Sequence, residues 1–439
     1  MCSETTTAIA NKRQWQLALL TLAASSGAYS RTLLSPLQET VRVGLSLNDN
    51  QLALLQGPAL ALPLLIIAVP LGVAIDRYSR KRLMIVLAFV TLCGTAFTAL
   101  ATDFSSILAA RCLVGLSAFA INPTALSLLA DFYTPAERGR ATMVVTVGQL
   151  AGMAAAFVLG GELIARFASE LNAWRWALCW LGLPLVFVVV ALTRMREPAR
   201  SAIAMAKPNL VSSSRELFKY RAVFLPLLMG IVTAEIALGA LAVWSAPMLS
   251  RNFGLSASKV GAMMAGALIM GGILGPILGG LLADACQRAG GPRRTTMILS
   301  SLAFVCSTLG FFAVAPGSVS TFTLLVGFIT VASAICVMGT TLFTIVLPSE
   351  LRGLSMAVLA AACVLVGNGL APIMVSSLSE LMGGPMAIGR ALTCVCVGTS
   401  ILGTAAFALS AKIFHHPAVP GVAGDVSPIS GTRPQIRPL

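Results

Sequence analysis

Three ionisable residues sit where the surrounding sequence offers no water. Arg31, Arg111 and Glu235 each lie inside a long apolar run of the 439-residue chain. A charge in hydrocarbon is costly, so such groups pair with one another, face a cavity or meet a passing solute. A guanidinium can hold an anion, and a carboxyl in a dry cavity can take up and release a proton. Other polar residues share these runs: Tyr29, Gln56, Asn122, Gln149, Trp244 and Asn368. A few such groups on an apolar lining suit an amphipathic guest, and each also suits a hydrogen bond between helices. Glu162 lies nearer the end of its run and is the weaker acid candidate. This chemistry is binding rather than bond-making. No Ser-His-Asp, metal-ligand or phosphate-loop pattern is present, and the only histidines are His415 and His416 beside the tail. An enzyme, an ATP-driven pump, a cofactor and a metal are therefore not expected.

The composition says what must hold these residues. The chain is 57% hydrophobic and 10% charged, with a mean hydropathy of +0.89. A soluble domain is about 25% charged, so a large soluble enzyme is excluded. The apolar runs reach the roughly 20 residues that cross hydrocarbon as a helix, and the short alternating segments of a β-barrel are absent. Twelve spans are expected, at 14–43, 51–75, 82–101, 105–131, 139–168, 174–193, 221–250, 259–284, 294–315, 319–347, 353–382 and 387–411. The first is long and carries Pro36, where it should tilt or kink. Asn48-Asp-Asn-Gln51 is a capping-box start for the second. Most of the ten cysteines lie inside apolar runs, where Cys acts as a small hydrophobe. The N-terminus imitates a secretory signal, with Lys12 and Arg13 before an apolar run, and is expected to stay uncleaved as the first span.

Charge orients the spans. With the N-terminus in the cytoplasm, 22 of the 30 cations fall in inner segments and six in outer ones, leaving Arg31 and Arg111 within spans. This bias predicts two cytoplasmic termini. It also explains the net charge of +14 without a nucleic-acid partner. Residues 194–220 are the longest polar interruption and the natural linker between two six-helix halves, 14–193 and 221–411. Residues 1–13 form a short cytoplasmic start, and 412–439, rich in Pro and Gly, a disordered cytoplasmic tail.

Two marks repeat. Gly72-Val-Ala-Ile-Asp76-Arg77-Tyr-Ser-Arg80-Lys81-Arg82 follows span 2, and Gly280-Leu-Leu-Ala-Asp284, with Arg288, Arg293 and Arg294, follows span 8. Pro135-Ala-Glu137-Arg138-Gly139 follows span 4, and Pro348-Ser-Glu350-Leu-Arg352-Gly353 follows span 10. Tandem halves of this kind are a known transporter arrangement. Spans 5 and 8 carry small residues at every fourth position, at Gly148, Gly152, Ala156 and Gly160 and at Gly271, Gly275 and Gly279. If the two spans meet across the halves, this stripe is a rocking surface.

Twelve spans with Gly-x-x-x-Asp-Arg-x-x-Arg-Lys-Arg after the second resemble the major facilitator superfamily over nearly the whole chain. Ser79 stands where the family motif has Gly. The resemblance implies an all-α fold of two pseudo-symmetric six-helix halves and alternating access. It further implies a gating latch of Gly72, Asp76, Arg77, Arg80, Lys81 and Asp284. Asp76 would pair with the opposite half, and Gly72 would let two helices approach closely. Arg111-Cys-Leu-Val-Gly115 is similar to the fourth-helix Arg motif, which implies a role in coupling; the alternative is an Arg snorkelling to the outer face. Met153 after Gly152 departs from the Gly-Pro pair of the antiporter signature. Ser46–Gln56, Trp174–Leu178 through Pro198, and Leu238–Pro247 resemble the spinster branch, which is associated with lipid-like substrates. That branch typically has acids where this chain has Ser30 and Ala118.

The expected function is a secondary transporter of a small organic anion or an amphipathic lipid-like solute in a bacterial inner membrane. Arg31 is expected to draw the anion and Glu235 to carry coupling, with the protein a monomer among membrane lipids. A uniporter of the same fold and a non-transporting receptor or scaffold remain alternatives.

Overall fold

The computed structural model describes residues 2–170, 172–197 and 210–414. The middle of the expected linker, 198–209, and nearly all of the expected tail, 415–439, lie outside these residues. Between them the chain is helix and short turns, as an apolar backbone in lipid requires, since every N–H and C=O must be satisfied internally.

The first span is two helices, α1 (Cys2–Thr32) and α2 (Leu34–Gly44). Pro36 has no N–H to return to the carbonyl one turn back, and the helix breaks at Leu33. The second span is also broken, into α3 (Asp49–Gln56) and α4 (Pro58–Arg77), parted at Gly57 with φ −105° and ψ −92°. Its start is the expected capping box. The Gln51 N–H donates to the Asn48 side chain at 2.8 Å, and the Gln51 side chain accepts from the Asn48 N–H at 2.9 Å. Helices α5 (Arg80–Leu100), α6 (Phe104–Phe132), α7 (Pro135–Arg166) and α8 (Ala173–Thr193) complete the first half.

A short helix, α9 (Leu210–Lys219), occupies the end of the stretch expected as a plain linker. It packs on the second half. The second half then runs through α10 (Arg221–Phe253) and α11 (Ala257–Leu309). The latter is two spans in sequence, because Gly290 and Gly291 leave the helical region and turn the chain; Gly291 takes φ 62°, which favours glycine. Next come α12 (Ser318–Val346) and α13 (Ser349–Ala362). The chain continues through a π-helical stretch, Cys363–Leu370, into α14 (Ala371–Leu381), and ends with α15 (Ile388–Ile413). Among the described residues ten stretches are long and apolar enough to cross a membrane. One of them, Ala257–Val314, turns back at the glycine pair, and α1 with α2 adds another, so the chain makes twelve crossings in two six-helix halves. Large apolar side chains such as Ile66, Val86, Phe187, Leu281 and Phe304 stand exposed around the bundle. In water this surface would be a liability; in a bilayer it faces lipid.

Within the first half α1 packs on α6 and α7, and α5 on α6 and α8; within the second α10 packs on α15, and α11 on α12. The halves meet chiefly where α7 touches α11, and where α3 and α4 touch the segment from Cys363 to Leu381. The small-residue stripes are not the rocking surface. A Cβ on Gly148 would meet Thr21, and one on Gly152 would meet Ser25, both on α1; one on Gly160 would meet Pro36 of α2. Gly271, Gly275 and Gly279 likewise approach Ile329, Ser333 and Ala334 on α12. The stripes cement each half internally, and α7 meets α11 through other residues, Gly161 against Ala257 and Leu150 against Gly272.

Candidate functional site

The two broken helices of the first half expose carbonyls that their own ladders do not use. Arg111, on α6, collects them. Its Nη2 donates to Arg31 O at 2.9 Å, Nη1 to Ser30 O at 3.4 Å and Nε to Leu55 O at 3.4 Å. These carbonyls lie near the C-terminal ends of α1 and α3, where a cation is favoured. With 2% exposure, Arg111 neither snorkels outward nor lines a cavity; it ties three helices together.

Arg31 is different. It is partly accessible although it lies deep in the bundle. Its Nη1 donates to Ala118 O at 3.2 Å, and the guanidinium lies 4.2 Å from the centre of the Phe119 ring. The described ion pairs include neither Arg31 nor Arg111. Asn122 and Gln149 are also partly accessible, and Gln149 Nε2 donates to Asn122 Oδ1 at 3.2 Å.

In the second half the site gathers on the π-helical stretch. Glu235, partly accessible on α10, lies beside the Cys336 thiol of α12, and its Cβ lies 2.9 Å from where a Cβ on Gly367 would stand. A Cβ on Gly239 would come within 1.9 Å of Gly367 O, so only glycine lets α10 lie against the stretch. Gly57 of the first half makes the same kind of approach, 2.3 Å from Gly369 O. Asn368, whose Nδ2 donates to Cys363 O at 3.4 Å, is thus carried on an irregular helix pressed between the halves. π-bulges of this kind concentrate at functional sites.

Three expected lining residues are spent inside their own half. Tyr29 donates to Leu181 O at 3.0 Å, and the fully buried Trp244 donates through Nε1 to Pro372 O at 2.9 Å. Gln56, 5% exposed, accepts from Ser35 and donates to Gln38. Each follows the hydrogen-bonding alternative, because a buried donor in lipid needs an acceptor close by.

The two ends of the bundle differ. At the end opposite the basic loops, Arg251 at the close of α10 reaches into the first half. Its Nη1 and Nη2 donate to both Asp49 oxygens at 2.7 and 2.8 Å, and Nε and Nη2 to Glu39 Oε1 at 2.8 and 2.5 Å. Nη1 also donates to Pro385 O at 3.1 Å. Asn50 donates to Glu380 at 2.7 Å, and Ser258 donates to Glu162, both again between halves. The Arg251 side chain is only 8% exposed, so this is a partly desolvated, bidentate lock. No sequence feature marked it, since Glu39, Asp49 and Arg251 look like ordinary loop-end charges. The one available signal was that outer cations are few.

At the basic end the described bonds of the expected latch residues stay on one side of the molecule. Arg80 pairs with Asp131 and also donates to Ile75 O at 3.2 Å. Its N–H, with the Ser79 hydroxyl, goes to Glu197, and Lys81 donates to Thr193 O at 2.8 Å. These partners belong to the first half or, as Glu197 does, to the start of the linker that leaves it. Arg77 and Asp284 are exposed. The Asp76 side chain lies outside the described residues. Gly72 does not bring helices together: nothing lies within 4 Å of where its Cβ would stand, and the same holds for Gly139, Gly280 and Gly353. The halves are parted at this end, which leaves the motif glycines in open space.

Residues 20–372 match the profile of the Major Facilitator Superfamily. A triacylglyceride transporter of Mycobacteroides abscessus is 31% identical over 221 residues, 47% of this chain and 39% of that protein. A 3-(3-hydroxy-phenyl)propionate transporter of Escherichia coli is 30% identical over 264 residues, 59% of this chain and 60% of that protein. The chain thus matches 39% to 60% of the length of these relatives. In fold it is similar to a bacterial homologue of the human lysosomal transporter Spinster, solved in an inward-facing and unoccupied conformation. The TM-score is 0.76 at 22% identity, covering 93% of this chain and 99% of that one. Twelve crossings in two halves, a repeated motif and a matched profile over most of the length agree: the chain belongs to the Major Facilitator Superfamily.

Proposed function

We propose that the chain is a secondary transporter that carries a small organic anion or an amphipathic, lipid-like solute by rocking its two halves about the central site. The observation that carries this reading is Arg31, a partly accessible guanidinium deep in the bundle, held by a carbonyl and a ring and paired with no described carboxylate. A cation left without a counter-ion in a low-dielectric site favours an anion that arrives with the solute. Relatives named for an aromatic acid and for triacylglycerides support the organic, partly apolar character of the cargo. The excess of Lys and Arg in the loops of the basic end supports a cytoplasmic position for that end and for both termini, in a bacterial inner membrane. A monomer contains both halves of the site.

In this conformation the solute enters from the basic end, its anionic group drawn to Arg31 and its body lying between Asn122 and Gln149 on one side and Glu235 and Asn368 on the other. Rocking then breaks the bonds of Arg251 and lets Gly72, Asp76 and Asp284 face the opposite half. Glu235 is the acid placed to carry a proton with the cycle. The absence of acids at Ser30 and Ala118 favours uniport as the second reading.

The test is flux into liposomes carrying an internal pH dye, across a panel of small organic acids and anionic amphiphiles. Arg31→Ala should lower anion flux about tenfold or more, the loss of one charge-assisted contact, and Arg31→Lys should lower it less. Wild-type anion flux in Arg31→Ala would overturn the site. Proton movement lost in Glu235→Gln assigns coupling to that residue. Proton-dependent uptake that survives the change removes Glu235 from coupling, and wild-type flux without proton movement assigns uniport.

A further inference from the structure

Away from the central path, a crevice of about 460 Å³ opens between α7 and α8, with Tyr29 of α1 at its floor. All the residues that line it belong to the first half, so it is not part of the path between the halves. Its walls are apolar, with Leu159, Leu163 and Leu183 among them, and its volume lies in the roughly 300–1,000 Å³ range of ligand sites. Leu159 and Leu183 are 42% and 55% exposed on the lipid-facing side of the bundle. The crevice therefore opens to the bilayer.

Three polar groups give it chemistry. Arg166 closes α7 at the membrane boundary, is exposed and belongs to none of the described ion pairs or hydrogen bonds. Glu162 stands one turn deeper, with one carboxylate oxygen taken by Ser258. Trp180 lies seven residues into α8, about 10 Å below the start of that helix. It is 55% exposed, and its indole N–H has no acceptor among the described residues, whereas the Trp244 N–H has one. An N–H facing hydrocarbon without an acceptor is unfavourable. Side chains lean toward the N-terminus of their helix. On the antiparallel α7 and α8 this carries Arg166 inward and Trp180 toward the interface, so the two converge.

We propose that this crevice binds one zwitterionic glycerophospholipid of the surrounding bilayer. The phosphate sits on Arg166, an ester carbonyl accepts from the Trp180 N–H, and one acyl chain lies along Leu159, Leu163 and Leu183. Glu162 beside Arg166 leaves the mouth of the crevice with no net charge. A head group that carries both charges fits there better than a purely anionic one.

The full chain, purified in mild detergent and titrated with phosphatidylethanolamine or phosphatidylglycerol, is examined by native mass spectrometry. Wild type should retain one phosphatidylethanolamine in preference to phosphatidylglycerol. Leu163→Trp, which fills the crevice, should abolish retention. Arg166→Gln, an exposed change that spares the fold, should weaken it about tenfold, and Trp180→Phe about fivefold through the loss of one hydrogen bond. Phe304→Ser, on the lipid face of the other half, should change nothing. Retention in Leu163→Trp and Arg166→Gln equal to wild type would overturn the site, and a preference for phosphatidylglycerol would overturn the zwitterionic assignment.

Discussion

The two ends of the bundle differ in how many charges they carry and use them in opposite ways. At the far end a single guanidinium, Arg251, spans from the second half to Glu39 and Asp49 of the first. At the basic end the described pairs, Arg13 with Glu137 and Arg80 with Asp131, stay inside the first half. The same chemistry therefore serves as a lock between bodies at one end and as bracing within a body at the other. On the proposed rocking of the two halves, bracing would keep each half rigid and confine motion to the contacts between them, and locking would hold the state in which they rest. What distinguishes the two roles is the helix that holds the partner, not the residue type.

That contrast can be broken at its strongest point first. Arg251→Ala removes the common partner of two acids, one of them nearly buried, at a cost to the closed end of about 3–5 kcal/mol. Gln38, 1% exposed behind the lock, reports the result. In Gln38→Cys the thiol should react with a membrane-impermeant reagent at least about tenfold faster once Arg251→Ala is added. Next in size is the glycine contact at the centre. Gly239→Ala drives a methyl into the Gly367 carbonyl, which should cost about 1–3 kcal/mol and abolish flux through the displaced π-helical stretch. Bracing at the basic end should behave otherwise. Asp131→Asn should lower thermal stability by about 1–3 kcal/mol and leave the reactivity of Gln38→Cys as it was, because no contact between halves is lost. The smallest effect on stability belongs to Gly72→Val. The side chain enters open space here, so the fold should be untouched while flux falls, if the basic end closes over that position during the cycle.

The architecture was legible because hydrocarbon imposes it. Span lengths, the charge bias of the loops, the Pro36 break and the Asn48 capping box all follow from local composition, and the structure has each helix break or cap where these place it. The repeated Gly-Asp and Pro-Glu-Arg-Gly marks gave the two halves. The partners of charges were not legible. Arg251 and Asp49 are 202 positions apart, and nothing near either names the other. The small-residue stripes on α7 and α11 could be recognised as close-contact surfaces, but not assigned a neighbour, and they turned inward to α1, α2 and α12. Tyr29, Gln56 and Trp244 read alike as polar groups in apolar runs. Only the packed structure separates them from Arg31, Glu235 and Asn368, which remain partly accessible. The π-helical stretch left one trace, the glycines of Gly367-Asn368-Gly369, and α9 another, a polar segment in which Leu210 and Leu217, and Val211 and Phe218, stand seven residues apart.

The central claim is that one end opens as the other closes. Paired spin labels test it directly, one pair at the exposed far-end positions Val43 and Leu381 and one at the exposed basic-end positions Arg82 and Arg352. Distances are measured in the full chain with and without Arg251→Ala. Alternating access predicts that the change lengthens the Val43–Leu381 distance and shortens the Arg82–Arg352 distance in the same molecules. A far end that opens while the basic end keeps its distance would contradict it.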